Sequence, residues 1–160
     1  MYNHAPPEYI CPICLAVAGI ESEKTMMRQN DIIYKDDLVM AAINSKFVGN
    51  NPGHVIIVPL DHHENLYDIP DLIAERIIKV SKRIAVAMKN IRKCEGINIL
   101  QNNEPLAGQH AFHYHMHLFP RFPEDQLFLN MGNARVATYE ERDLYSEPLK
   151  QYLSKYPITD

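Results

Sequence analysis

The chain has 160 residues, 46% of them apolar, a net charge of −4 and three cysteines. That is enough apolar surface for one packed domain without disulfides or a structural metal. The mildly acidic balance, with no long run of like charges, gives no electrostatic support for binding nucleic acid or a membrane surface. Cys11 and Cys14 with a distant Cys94 do not form a secreted disulfide framework, so a reducing cytoplasm is expected. The apolar stretch at residues 10–20 is too short to span a bilayer and has no basic region ahead of it, so neither a membrane helix nor a targeting signal is expected.

In chain order, residues 1–9 carry Pro6 and Pro7 and read as a loose terminus, and residues 15–20 as a short helix or turn. Residues 31–35 and 38–44 are β-rich runs around Asp36 and Asp37, which predicts a hairpin. A turn cluster at 48–53 leads into a third strand at 54–60, whose continuous apolar middle implies a central place in a sheet. From Pro70 to Cys94, Ile73, Ile77, Val80, Ile84, Met88 and Ile91 recur at helical spacing, with Asp68 or Asp71 suited to the start and Gly96 to the end. The charged face of this helix, Arg76 to Lys93, reads as solvated surface in preference to a phosphate site. Residues 97–101 form a fourth strand, 102–108 a polar loop and 112–119 a fifth strand. The tail is helix-prone over 139–152, around Pro148. The sum is an α+β domain: a five-stranded antiparallel sheet with one long helix packed on one face.

The fifth strand holds the chemistry. Half of the eight histidines fall between Gln109 and Arg121. From residue 113 onward His113, His115, His117 and Phe119 share one parity and Tyr114, Met116 and Leu118 the other, so a strand presents three imidazoles on one face and an apolar stripe on the opposite one. Three imidazoles in register suit metal ligation or nucleophilic and acid–base chemistry on an anion, and less well an ordinary wet surface. Cys11 and Cys14 have the C-x2-C spacing of a zinc half-site, with inert thiols or a redox pair as alternatives. A neutral histidine can attack phosphorus in line. Gln109 and the N–H groups of the 107–109 turn are then candidates for stabilising the developing charge. No P-loop, dinucleotide fingerprint or serine elbow is present.

Gly108-Gln109 followed by His113-x-His115-x-His117 and an apolar pair resembles the signature of the histidine triad (HIT) family. The stretch Asn50 to His62, with Gly53, His54 and Pro59, looks like that family's upstream glycine–histidine strand, and Cys11-x-x-Cys14 like its N-terminal zinc half-site. The resemblance covers a core of about residues 8–122 of a single domain spanning 1–160, with 123–160 as a C-terminal extension. It implies a hydrolase or transferase cleaving at the α-phosphate of a purine nucleotide derivative through a nucleotidyl-histidine intermediate. In that reading His115 is the nucleophile, while His117 and Gln109 contact the phosphate and leaving group. His54 is an active-site neighbour, Asn44 meets the ribose hydroxyls, and Asn102, Gly108 and His110 line the phosphate side. One structural zinc would be held by Cys11, Cys14, His62 and His113, with His63 as runner-up for the third ligand. The resemblance also implies a homodimer joined at the long helix and neighbouring strand.

Some positions divide the family's branches. Asn44 leans toward members that cleave dinucleoside polyphosphates, and the cysteine pair toward zinc-bearing bacterial-type members. The absence of tryptophan leaves out a tail some phosphoramidases use, and His117 argues against the transferase branches with glutamine there. His110 stands where many relatives carry serine or threonine. A nucleotide-binding regulatory protein with little turnover is the rival reading.

Overall fold

Asp36 makes the first turn. Its Oδ1 accepts the N–H groups of Leu38 (2.9 Å) and Val39 (2.8 Å), and β1 (Ile32–Lys35) pairs antiparallel with β2 (Val39–Ile43) on either side. The computed structural model describes residues 2–159 and has the α+β architecture expected, with a five-stranded antiparallel sheet. To the hairpin are added β4 (Val55–Pro59), β5 (Gly96–Gln101) and β6 (Met116–Arg121), in the order β1-β2-β4-β6-β5. The central strands β2 and β4 are buried at every position, as their unbroken apolar runs require.

Two helices cover one face of this sheet where the sequence predicts one. The first is α2 (Asp71–Arg92) and the second α4 (Tyr139–Lys155). Ile73, Ile77, Val80, Ile84 and Met88 of α2 share the main core with Ile43, Ile57 and Leu118 of the sheet and with Leu149 and Leu153 of α4. Helix α4 carries a weak sequence signal because Pro148 lies inside it and its buried stripe is broken by Arg142 and Ser146. Arg142 is tolerated there because it pairs with the equally buried Asp31, just before β1. Lys93, in the left-handed conformation, ends α2 (φ 54°), whereas Gly96, the expected terminator, opens β5. Among the described residues no helix is long and apolar enough to cross a membrane.

The opposite face is divided. At one end lies α1 (Pro12–Val17), whose Ile13 and Ala16 pack with Met40, Ala42, Ile56 and Val58. At the other, α3 (Leu127–Asn130) drops Leu127 onto Phe119 and Val48. A second, two-stranded sheet, β3 (Lys46–Val48) with β7 (Ala134–Val136), flanks this end; its short strands carry no alternating pattern that the sequence reading could use. Asp125 locks the segment after β6 by accepting from Arg121 Nε and Nη2 (2.8 Å each) and from Asn51 Nδ2 (2.6 Å).

The histidine-bearing strand is shorter than the alternation predicts. The ladder of β6 begins at Met116, and residues 111–115 run as an irregular segment. Pro59, at the end of β4, has no N–H to offer, and its carbonyl accepts from His113 Nε2 (3.1 Å). The Tyr114 N–H goes instead to the His63 carbonyl (2.6 Å). The parity of the side chains nevertheless persists: Tyr114, Met116 and Leu118 enter the main core, while His117 and Phe119 face the other way.

Candidate active site and metal centre

Ligand-like atoms of Cys11, Cys14, His62 and His113 all lie within 4.8 Å of one another. The N-cap geometry of α1 sets the first two, with Cys11 Sγ accepting the Cys14 N–H at 3.4 Å. His113 Nδ1 sits 3.4 Å from Cys11 Sγ and 3.5 Å from Cys14 Sγ, and His62 Nδ1 3.3 Å from Cys14 Sγ. With metal–ligand bonds of about 2.3 Å to sulfur and about 2.1 Å to nitrogen, a tetrahedral zinc ion spaces its sulfur and nitrogen ligands by about 3.6 Å. The donor set and its spacing therefore fit a metal ion of that kind. The Pro59 carbonyl fixes the His113 tautomer by holding a proton on Nε2, which leaves Nδ1 as the ligand atom. Burial and the adjacent Cys11 push the Cys14 thiol up, so without a cation between the two sulfurs Cys14 is held protonated. His63 is outside the cluster and contributes its backbone carbonyl.

On the same face, His115 Nδ1 donates to the His113 carbonyl at 2.8 Å. That bond assigns the ring proton to Nδ1 and leaves the Nε2 lone pair free. The His117 ring lies edge-on to His115 with centroids 4.9 Å apart. His54 stacks on Phe119 (4.0 Å between centroids) and sits 5.2 Å from the His117 ring. Asn44 Nδ2 donates to His54 Nε2 (2.6 Å), and the Asn44 N–H to the His54 carbonyl (3.0 Å). Burial lowers the basicity of His115 and drives that of His117 far down; His54 is pushed to about 3 by burial first, then by repulsion from His115 when that ring is protonated and from Arg92. At neutral pH these are uncharged imidazoles.

The phosphate-side loop differs from expectation in how its donors are used. Gln109 is buried, and its amide is committed: Nε2 donates to the Glu64 carbonyl (2.8 Å) and the Ala111 carbonyl (3.2 Å), and Oε1 accepts the Glu104 N–H (2.7 Å). The N–H groups of Ala107, Gly108 and Gln109 close turns onto the Glu104 and Pro105 carbonyls. Gly108 takes a positive φ of 89°, and its carbonyl accepts from Asn102 Nδ2 (3.3 Å), so these two residues shape the loop. His110 is exposed at the rim and near enough to His115 to lower its basicity.

Two contributors escaped the sequence reading. Tyr9 accepts the Phe112 N–H on its hydroxyl (3.1 Å) and packs edge-on against the Phe112 ring, tying the chain just before Cys11 to the histidine segment; nothing in its surroundings signals this. Phe119 is the floor under His54 and His117, and its shared parity with the histidines was the available signal.

A family model described as the HIT domain matches residues 26–124. The Bacillus subtilis protein named Protein hit is 33% identical over 84% of this chain and 86% of its own length. An adenosine 5'-monophosphoramidase of Candida albicans is 35% identical over 64% of this chain and 70% of its own. A crystal structure of a Zn-bound histidine triad family protein from Mycobacterium smegmatis superposes with a TM-score of 0.73 at 25% identity, covering 91% of this chain and 94% of that one. With its histidine segment laid across an antiparallel sheet, this chain belongs to the HIT family.

Proposed function

We propose that the protein is a nucleotide hydrolase that cleaves at the α-phosphorus of a purine nucleotide derivative through a covalent intermediate on His115. The observation that carries this reading is the 2.8 Å bond from His115 Nδ1 to the His113 carbonyl, which turns an unprotonated Nε2 outward as a nucleophile. In the first step Nε2 attacks phosphorus and the bond to the leaving group breaks, its electron pair departing with that group. Water then attacks the same phosphorus, the P–N bond breaks with its electron pair returning to His115 Nε2, the water's proton passes to bulk solvent, and the nucleoside monophosphate leaves. His117, 4.9 Å from His115, is the group beside the phosphoryl oxygens, and His110 at the rim faces the leaving group. Asn44 meets the ribose, with the buried His54 bonded behind it. Gln109 keeps its role one step removed, holding the 104–111 loop shut through backbone bonds.

Support for the substrate class comes from the Candida albicans relative, whose name specifies an adenosine 5'-monophosphoramidase. Zinc is the proposed metal for Cys11, Cys14, His62 and His113; when bound it supplies a structural tie and charge balance for the thiolates. We infer also a cytoplasmic homodimer in which a second copy pairs along β5, one of the two edge strands of the sheet, where Ile99 is exposed.

The test is a panel of adenosine phosphoramidate, a lysyl-adenylate mimic and a dinucleoside polyphosphate, read by turnover and by intact mass. A nucleotidyl adduct on the wild type, absent from His115→Ala, is expected, with turnover in that variant down by about three orders of magnitude or more. Undiminished turnover in His115→Ala sinks the assignment. Tight AMP binding with no adduct on any substrate favours the regulatory reading.

A further inference from the structure

The backbone just before His54 is held from a direction that the HIT match does not include. Gly53 has φ +68°, and a Cβ placed on it would clash with Cγ of the ring of Tyr145, a residue of α4. Arg92, the last residue of α2, donates from Nη1 to the Pro52 carbonyl (2.6 Å) and more distantly to that of Gly53 (3.4 Å). Its guanidinium lies 4.5 Å over the Tyr145 ring and 5.4 Å from Phe122. On its other side Tyr145 meets Phe47 of β3 edge-on at 5.4 Å. The Tyr145 ring is thus fitted between Phe47, the Gly53 backbone and Arg92.

The next residue after this fixture is His54, which carries Asn44 on one ring edge and lies against His117 and Phe119. We propose that Arg92 and Tyr145 are positioning residues of the active site, through which α4, outside the 26–124 segment, fixes His54 and with it Asn44 and His117. The inference rests on the hydrolase reading only for its kinetic consequence. Its structural content is that the imidazole of His54 moves when the clamp on residues 52–53 is released. The charge of Arg92 has a second effect in the same direction, since it disfavours a proton on His54 and keeps that ring neutral.

Full-length Arg92→Met, Tyr145→Leu, Tyr145→Phe and Leu153→Ala test this. Leu153 is buried about two turns further along the same helix, in the main core, and serves as the stability control. With adenosine phosphoramidate, Arg92→Met and Tyr145→Leu should lower kcat by about tenfold or more and raise KM, because small displacements of positioning groups cost that much. Tyr145→Phe, which keeps the ring, should retain wild-type values, and Leu153→Ala should lower Tm without the kcat loss. The imidazole signals of His54 and the side-chain amide of Asn44, followed by NMR, should shift in Arg92→Met and Tyr145→Leu and stay in place in Leu153→Ala. Wild-type kcat together with unmoved His54 signals in both clamp variants overturns the proposal, as does an equal kcat loss in Leu153→Ala. A wild type inactive on every substrate counts against the hydrolase reading, and the NMR signals then decide the clamp by themselves.

Discussion

His113 and Pro59 are joined by a single hydrogen bond, Nε2 to carbonyl at 3.1 Å, and that bond serves two ends at once. It takes the carbonyl that would otherwise continue the ladder between β4 and β6. It also turns Nδ1 of the same ring toward Cys11 and Cys14. Strand termination and ligand orientation are one event here.

The metal assignment follows from that orientation. Cys11→Ala and His113→Ala should lose zinc, whereas His117→Ala, whose ring lies against His54 and Phe119, should keep it. Metal analysis of the purified variants decides this, and zinc loss from His117→Ala would point to the three histidines sharing one ion. A chelator should also lower the Tm of the wild type, since metal that binds only the folded chain stabilises it by mass action.

The Asp31–Arg142 pair should be costly to break on one side. Both side chains are almost fully enclosed, at 0% and 2% exposure, so Asp31→Ala strands a buried guanidinium. A loss of about 3–5 kcal/mol by urea denaturation is expected. Replacing both residues by apolar ones of similar volume should recover most of it, and a double variant no better than Asp31→Ala would show that the cost lies elsewhere.

Acid should weaken the fold in two stages. His54 is held near 3, below its unfolded value of about 6.5, and burial drives His117 the same way. Below about pH 6.5 the unfolded chain binds protons that these rings refuse, so stability falls with pH by up to about 1.4 kcal/mol per unit per ring. Asp125 acts lower down. Arg121 beside it, aided by Asn51 and the Phe122 and Leu127 N–H groups, holds its carboxyl far below the carboxylate range. The stability it contributes is complete above its unfolded pKa of about 3.9 and is lost as pH falls through its own lower value. Urea midpoints measured from pH 7.5 down to 3 should show the first decline beginning near 6.5 and shallower in His54→Asn. A flat profile between 7 and 5 would contradict it.

Dimerisation along β5 should be sensitive to one side chain. Ile99 is half exposed at the middle of β5, an edge strand of the sheet. Ile99→Asp should give a monomer by sedimentation velocity where the wild type sediments as a dimer, with little change in Tm of the isolated fold. A wild-type monomer at micromolar concentration would remove the proposal.

Much of this molecule was legible because its signals are local and periodic. The apolar repeat from Ile73 to Met88 marked α2, and the unbroken run from Val55 to Val58 marked a central strand. Side-chain parity from Tyr114 to Phe119 survived even where the strand itself did not. What escaped depended on partners far away in sequence. Arg142 disguises the buried face of α4 unless Asp31 is known to meet it, and Pro148 reads as a breaker unless the helix is held from outside. Gln109 has the residue type of a phosphate contact, yet the Glu64, Glu104 and Ala111 backbone takes all of its amide. Residue identity gave the chemistry available at each position, and the geometry decided where it was spent.

The Cys/His cluster joins residues 102 positions apart, Cys11 to His113. In kinetic terms such a contact is among the last to be rewarded, because the chain between its ends must already be ordered before closure becomes favourable. The hairpin of β1 and β2 and the packing of α2 require far shorter loops. A refolding chain should therefore acquire the β1–β2 hairpin and the contacts of α2 with β4 before Cys11 and Cys14 meet His113, so the histidine face is completed late.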